Sequence, residues 1–169
     1  MFTIEYAVKK DIPSMMNIIE ESLPLIPDLD WFVGDTAEFY ERHISDCGFT
    51  LKAICCSTGT LAAYFTVRYP KLENDNLGYD LDFTDADLLT TAHMETCVVH
   101  PDYRGHHLEA RLMKQAVEIL KNTDYHYLLG TVHPDNVPSL KAFLSNDFHV
   151  AKTAKKYGGK LRHIMYRKI

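Results

Sequence analysis

Met94 to Lys121, M-E-T-C-V-V-H-P-D-Y-R-G-H-H-L-E-A-R-L-M-K-Q-A-V-E-I-L-K, reads as a strand, a tight basic turn and a long amphipathic helix. In the strand, Ala92 to Val99, alternation sets His93, Glu95, Cys97 and Val99 on one face and Met94, Thr96 and Val98 on the other. Pro101 stops it. From Gly105 the residues Leu108, Leu112, Met113, Ala116, Val117 and Leu120 recur at the spacing of one buried helical stripe. The first amides of such a helix lack intrahelical partners and carry the positive end of its dipole. With Gly105 allowing close backbone approach and Arg104 beside it, the turn reads as an anion site, and a phosphorylated ligand is the first expectation.

Upstream, Phe49 to Cys56 and Leu61 to Arg68 are two apolar runs joined by Ser57-Thr58-Gly59-Thr60, an antiparallel hairpin. Further back, Thr3 to Lys9 alternates as a strand. A helix then starts at Asp11, with Pro13 in its first turn and Ile12, Met15, Met16, Ile19 and Leu23 on one face. Pro24 and Pro27 end it, and Leu25 to Gly34 reads as a loop holding the only tryptophan, Trp31. Asp35 or Thr36 can cap a second helix reaching about Asp46. Downstream come a buried strand from Tyr127 to Val132 and a helix from Asn136 to Asn146. Two last strands, Phe148 to Thr153 and Leu161 to Arg167, lie around Tyr157-Gly158-Gly159.

A length of 169 residues with 46% hydrophobic content suits one domain over residues 1–169. The N-terminal segment has no long apolar core, so neither a signal peptide nor a membrane anchor is expected and a cytoplasmic location is the default. Cys47, Cys55, Cys56 and Cys97 show no C-x-x-C spacing and read as reduced packing thiols. The net charge of −5 conceals an asymmetry. Tyr69 to Thr90 carries Glu73, Asp75, Asp80, Asp82, Asp85 and Asp87 against Lys71 alone, whereas Lys141 to Ile169 carries eight Lys/Arg against Asp147. The basic charges are spread along a strand pattern in an acidic protein, which argues for solvated surface rather than a nucleic-acid partner. His106 and His107 with His100 or Cys97 could suggest a metal, but no second ligand pair at helical or knuckle spacing supports one, and none is expected.

V-V-H-P-D-Y-R-G-x-x-L at a strand end resembles motif A of the GNAT acyl-CoA-dependent N-acyltransferases, whose turn is written Q/R-x-x-G-x-G/A. Arg104 supplies its first residue, while His107 and Glu109 stand at the two family glycine positions. A second stretch, N-V-P-S-L-K-A-F-L-S-N-D-F, resembles the family's N-x-x-A/S-x-x-x-Y-x-x-x-G-F at Asn136, Ser139 and Phe148, with Phe143 in place of tyrosine and Asp147 in place of glycine. Two motifs in order, inside the succession β-α-α-β-β-β-α-β-α-β-β, are far more specific than either alone. The resemblance implies an α+β fold, an α/β/α sandwich on a mixed, mostly antiparallel sheet with a splay between strands 4 and 5. The tail K-Y-G-G-K-L-R is similar to a bacterial branch of the family and names no acceptor.

The resemblance implies acetyl-CoA as acyl donor. Its pyrophosphate would take the amides of Gly105, His106, His107, Leu108, Glu109 and Ala110 beside Arg104, with the His107 and Glu109 side chains turned away. Its pantetheine would run along Cys97, Val98 and Val99, where an amide near Val98 or Val99 could polarise the thioester carbonyl. Asn136, Ser139 and Phe143 would flank it from the other side. His107 fits this scheme with ordinary helical dihedrals. Glu95 is the first candidate for the base that neutralises the amine, or else a structural partner of a nearby Arg or Lys; His93 is the second. Phe143 cannot protonate the leaving thiolate, and Tyr157 could only if the last hairpin folds over the site. Trp31, Phe32 and Tyr40 are acceptor contacts or core aromatics. The acidic segment either biases the site toward cationic acceptors through Asp80 and Asp82 or is a solvated insertion.

The function expected is acyl-CoA-dependent transfer, most simply of acetyl, to a primary amine of a small molecule or protein by direct attack. The alternative from another class is a non-catalytic acyl-CoA sensor on the same fold. No membrane or nucleic-acid partner is expected, and a homodimer is left open.

Overall fold

The computed structural model describes residues 1–169. Its frame is one seven-stranded sheet in the order β1-β2-β3-β4-β5-β7-β6. The strands are β1 (Phe2–Tyr6), β2 (Gly48–Cys55), β3 (Leu61–Arg68), β4 (Thr91–Val99), β5 (Tyr127–Val132), β6 (His149–Lys156) and β7 (Lys160–Lys168). The helices are α1 (Ile12–Ser22), α2 (Ala37–His43), α3 (Asp85–Leu89), α4 (Leu108–Leu120) and α5 (Val137–Leu144). All neighbouring strands are antiparallel except β4 and β5. This is the mixed, mostly antiparallel sandwich that the motif order implies.

Helices cover both faces because β3, at the centre, is buried along its whole length. Phe65 and Val67 face α4, whose entire predicted stripe from Leu108 to Leu120 is buried against them, Met94 and Leu128. Tyr64 and Val98 face the other way, under Ile12, Met15 and Ile19 of α1 and Tyr40 of α2. Each fully buried Leu or Met of these stripes contributes about 1.5–3 kcal/mol over its exposed state.

Local boundaries differ from the sequence expectation where side chains find better partners. β1 stops at Tyr6 because the chain turns at Lys9–Asp11. Asp11 does not cap α1; its carboxylate accepts from the Val8 amide at 2.8 Å and from the buried Lys52 at 2.7 Å. Thr36, not Asp35, caps α2, accepting from the Phe39 amide at 3.3 Å. That leaves the Asp35 carboxylate free for the interior.

Two irregularities of β4 shape the site. Its pairing with β5 runs only from Thr91↔Tyr127 to His93↔Leu129, after which the strands separate. Phe143 of α5 wedges there over Gly130, where an added Cβ would lie 2.7 Å from the Phe143 ring and 3.0 Å from the Met94 carbonyl. Against β3 the register jumps from Thr66↔Thr96 to Val67↔Met94, so Glu95 is the extra residue of a bulge. The simple alternation expected for β4 is therefore broken: Met94 shares the α4 core with Cys97 and Val99, while Val98 joins the opposite one.

Candidate active site

A cleft of about 830 Å³ opens where β4 and β5 part. Cys97, Val98 and Val99 form one wall, Arg104, Gly105 and residues His107 to Ala110 the floor at the start of α4, and Asn136 with the first turn of α5 the other wall. No N–H from Gly105 to Ala110 donates to another backbone group, the first such donor being Arg111 to the His107 carbonyl. Along β4 the His100 amide donates to Ala62 of β3 at 2.8 Å. Strand alternation therefore turns the Val99 and Cys97 amides to the cleft. Donors for an anion and for an extended chain thus line one groove.

His107 does not have helical dihedrals. It caps α4 in the left-handed region, at φ 54° and ψ 31°, and Gly105 before it has φ 83°. A β-carbon at φ 54° crowds the following carbonyl, which is the physical reason a glycine suits this position. Asp147, another departure from the family pattern at a glycine position, also has positive φ, at 59°. His106 leaves the cleft and packs its ring on Phe2 at 5.2 Å. Glu109 is not turned away: its carboxylate accepts from the Ser139 hydroxyl at 2.7 Å, across the gap between α4 and α5. Burial pushes the Glu109 carboxyl up, against the lowering effect of that bond. Asn136 caps α5 through its Oδ1 and the Ser139 amide at 3.4 Å.

Behind the cleft lies a smaller cavity of about 120 Å³. Trp31, Phe32, Cys97, Glu109 and Asn136 line both spaces and mark the throat between them. Asp35, Glu95, Thr96, Thr131, Phe143, Tyr157 and Arg162 line the inner cavity alone. The last hairpin thus folds over the site. Tyr157, at φ 50° in the turn between β6 and β7, brings its hydroxyl to 3.0 Å from Thr131 Oγ1. Burial raises its phenol above the ordinary value.

The two carboxylates that line the inner cavity alone are shifted in opposite directions. His93 Nε2 accepts from the Leu77 amide at 3.1 Å, so the proton of a neutral His93 sits on Nδ1, 3.3 Å from Glu95 Oε2. Arg68 lies 3.9 Å from the same oxygen. Burial alone would raise Glu95, but the His93 bond and the Arg68 charge outweigh it and hold the carboxyl below its usual range. Asp35 accepts from the Thr96 hydroxyl. Burial, with the Glu95 charge adding to it, pushes Asp35 from its ordinary 3.8 up to about 6 despite that bond. A pair split in this way supplies one permanent anion and one group that exchanges a proton near neutrality. Burial raises the Cys97 thiol well above its usual value, which keeps it protonated and unsuited to nucleophilic attack.

Of the residues singled out in the sequence, Glu95, Tyr157, Trp31 and Phe32 meet in the inner cavity. His93 does not reach it; both ring nitrogens are engaged, on Leu77 and Glu95, which leaves it no lone pair for a substrate proton. Tyr40 is fully buried with its hydroxyl 3.0 Å from that of Tyr64 and lines neither space. Asp80 pairs with Lys156, and neither it nor Asp82 lines either space. Glu73 and Asp75 of the same acidic segment clasp Arg68 behind the site. Asp35 and Arg162 are the residues that sequence reasoning missed.

The sequence model described as the acetyltransferase (GNAT) family matches residues 12–148. The chain belongs to that family. Membership makes it an acyl-CoA-dependent N-acetyltransferase with acetyl-CoA as donor. Comparison with curated proteins gives no match. Among solved structures, a GCN5-related N-acetyltransferase from Kribbella flavida is 16% identical with a TM-score of 0.75, over 99% of this chain and 98% of the other. The Escherichia coli N-acetyltransferase for a ribosomal-protein alanine is 16% identical with a TM-score of 0.72, over 100% and 94%. An aminoglycoside acetyltransferase solved with coenzyme A and kanamycin is 14% identical with a TM-score of 0.73, over 99% and 95%. At these identities the likeness speaks for the shared fold.

Proposed function

We propose that the outer cleft binds acetyl-CoA, that the inner cavity receives a primary amine, and that Asp35 takes the amine's proton. The observation that carries this reading is the throat at Cys97, Glu109 and Asn136, where a cleft lined with unpaired amides meets a cavity holding two carboxylates in different states. The residues present fit the donor. Free amides and Arg104 suit the pyrophosphate, and the cleft-facing amides of Cys97 and Val99 suit the extended arm. Acetyl-CoA, when bound, supplies an activated thioester whose acetyl group passes to the amine nitrogen as the thiol departs.

The protein's own groups prepare that transfer. Glu95, fixed as an anion by His93 and Arg68, attracts the ammonium into the cavity. Asp35, ionised above about pH 6, accepts the ammonium proton and leaves a nucleophilic amine. The Tyr157 hydroxyl, on the cavity wall beside Thr131, would be the O–H able to donate to the leaving sulfur, which Phe143 lacks. A thiol of pKa about 8.5 needs no stronger acid than this. The burial-raised Cys97 thiol is a poor acyl carrier, which favours direct transfer.

Calorimetric titration with acetyl-CoA, paired with thiol release over a panel of amines, tests this. Binding with amine-dependent release is expected. Binding with no release on any amine points to a sensor, and no binding contradicts the reading altogether.

A further inference from the structure

Arg162 is buried, 2% exposed, and lines the inner cavity but not the outer cleft. Its NH1 donates to the Leu161 carbonyl at 2.8 Å, and its NH2 donates to the Asp30 carbonyl. Its guanidinium lies 5.7 Å from the centre of the Tyr157 ring. No carboxylate lies within ion-pairing distance of it: Asp30, whose carbonyl it touches, turns its carboxylate to Lys160 at 3.3 Å. Burying an uncompensated cation is costly, and burial does lower the guanidinium's affinity for its proton. The other buried cations, Lys52 and Arg68, each have two or more carboxylates. Arg162 alone is left without a counter-ion, and it faces the acceptor space rather than the donor phosphates.

On the reading that the inner cavity is the acceptor site, we propose that the acceptor is a small zwitterion, a free α-amino acid. Its ammonium lies toward Asp35 and Glu95, and its carboxylate completes the Arg162 ion pair. Size supports this pairing. A cavity of about 150 Å³ takes benzene, so the roughly 120 Å³ here holds about five heavy atoms, the nitrogen, α-carbon and carboxylate of an amino acid. Amine and anion must then be only a few atoms apart. A polyamine or an aminoglycoside would set another cation against Arg162, and a peptide N-terminus offers an amide where the carboxylate belongs.

The test compares kcat/KM for L-alanine and L-serine with that for alaninamide, serinamide and ethylamine, in the wild type and in Arg162→Gln and Arg162→Lys. The expected wild-type preference for the acids over their amides and over ethylamine is at least about tenfold, the value of a charge-assisted pair. In Arg162→Gln that ratio falls toward one, chiefly through KM, and Arg162→Lys restores part of it. The ratio is independent of how much of each variant folds. Equal use of acid and amide by the wild type, or an unchanged ratio in Arg162→Gln, overturns the proposal. Should no compound be acetylated, the transferase reading fails separately, and a thermal shift with CoA present decides this one. Stabilisation by L-alanine or L-serine but not by their amides, lost in Arg162→Gln, upholds it; equal or absent shifts reject it.

Discussion

At the scale of single residues, chemistry turns on how Asp35 and Glu95 differ. Because Asp35 is raised to about 6, kcat/KM is expected to climb with pH through about 6 as its carboxylate forms. Asp35→Asn removes that limb and lowers kcat/KM by about 10²–10⁴-fold, which a pH–rate profile reads directly. The same group costs stability. Its folded value lies above its unfolded one, so its contribution is full below pH 3.8 and is lost as pH rises through about 6. Asp35→Asn is therefore expected to be more stable than the wild type at pH 8, by at most about 3 kcal/mol, and indistinguishable at pH 3.5, in urea titrations. Glu109 gives a parallel expectation on the donor side. Its raised carboxyl gains charge only at higher pH, so acetyl-CoA affinity falls as pH rises in the wild type and stays level in Glu109→Gln, by calorimetry. Glu95 was legible in the sequence from its place on the strand before Cys97. Asp35 was not, because an Asp-Thr pair before an amphipathic run signals a helix cap, and only the fold shows that Thr36 does the capping.

At the scale of elements, the anion turn shows what a motif can and cannot convey. Arg104, Gly105 and the α4 stripe were readable from spacing alone, and the helix buries the residues expected. Its start was placed too early: α4 begins at Leu108, after a left-handed His107. Two of the departures from the family pattern, His107 and Asp147, have positive φ. Removing their side chains relieves crowding but loosens the unfolded chain, so His107→Gly and Asp147→Gly are each expected to stabilise by up to about 1 kcal/mol in denaturant titrations. A loss of stability would show that these side chains hold their turns. The bulge at Glu95 left no trace in the sequence. Its cause is the register that β3 imposes, and a strand pattern read alone cannot carry a partner's register.

At the scale of the whole molecule, the charge asymmetry resolves into internal complement. The acidic segment from Tyr69 to Thr90 lines neither the cleft nor the inner cavity. It clasps Arg68 through Glu73 and Asp75, fixes His93 through the Leu77 amide and meets Lys156 through Asp80. Asp80→Asn combined with Asp82→Asn is accordingly expected to leave acceptor preference unchanged, with a stability loss of about 1–3 kcal/mol, since one partly buried charged pair is removed. A changed acceptor profile would return the segment to the site. No helix is long and apolar enough to cross a membrane. Fold order and donor cleft were legible because local patterns specify them. The inner cavity was not, since it draws Trp31, Asp35, Glu95, Tyr157 and Arg162 from three distant parts of the chain.

The central claim is that acetyl-CoA and an amine meet at this throat with Asp35 as the base. Amine-dependent thiol release from acetyl-CoA, measured from pH 5 to 9 in the wild type and Asp35→Asn, tests it most directly. A rise in kcat/KM with an apparent pKa of about 6 is expected in the wild type and disappears in Asp35→Asn. A profile unchanged by the substitution, or no amine-dependent release at any pH, would contradict it.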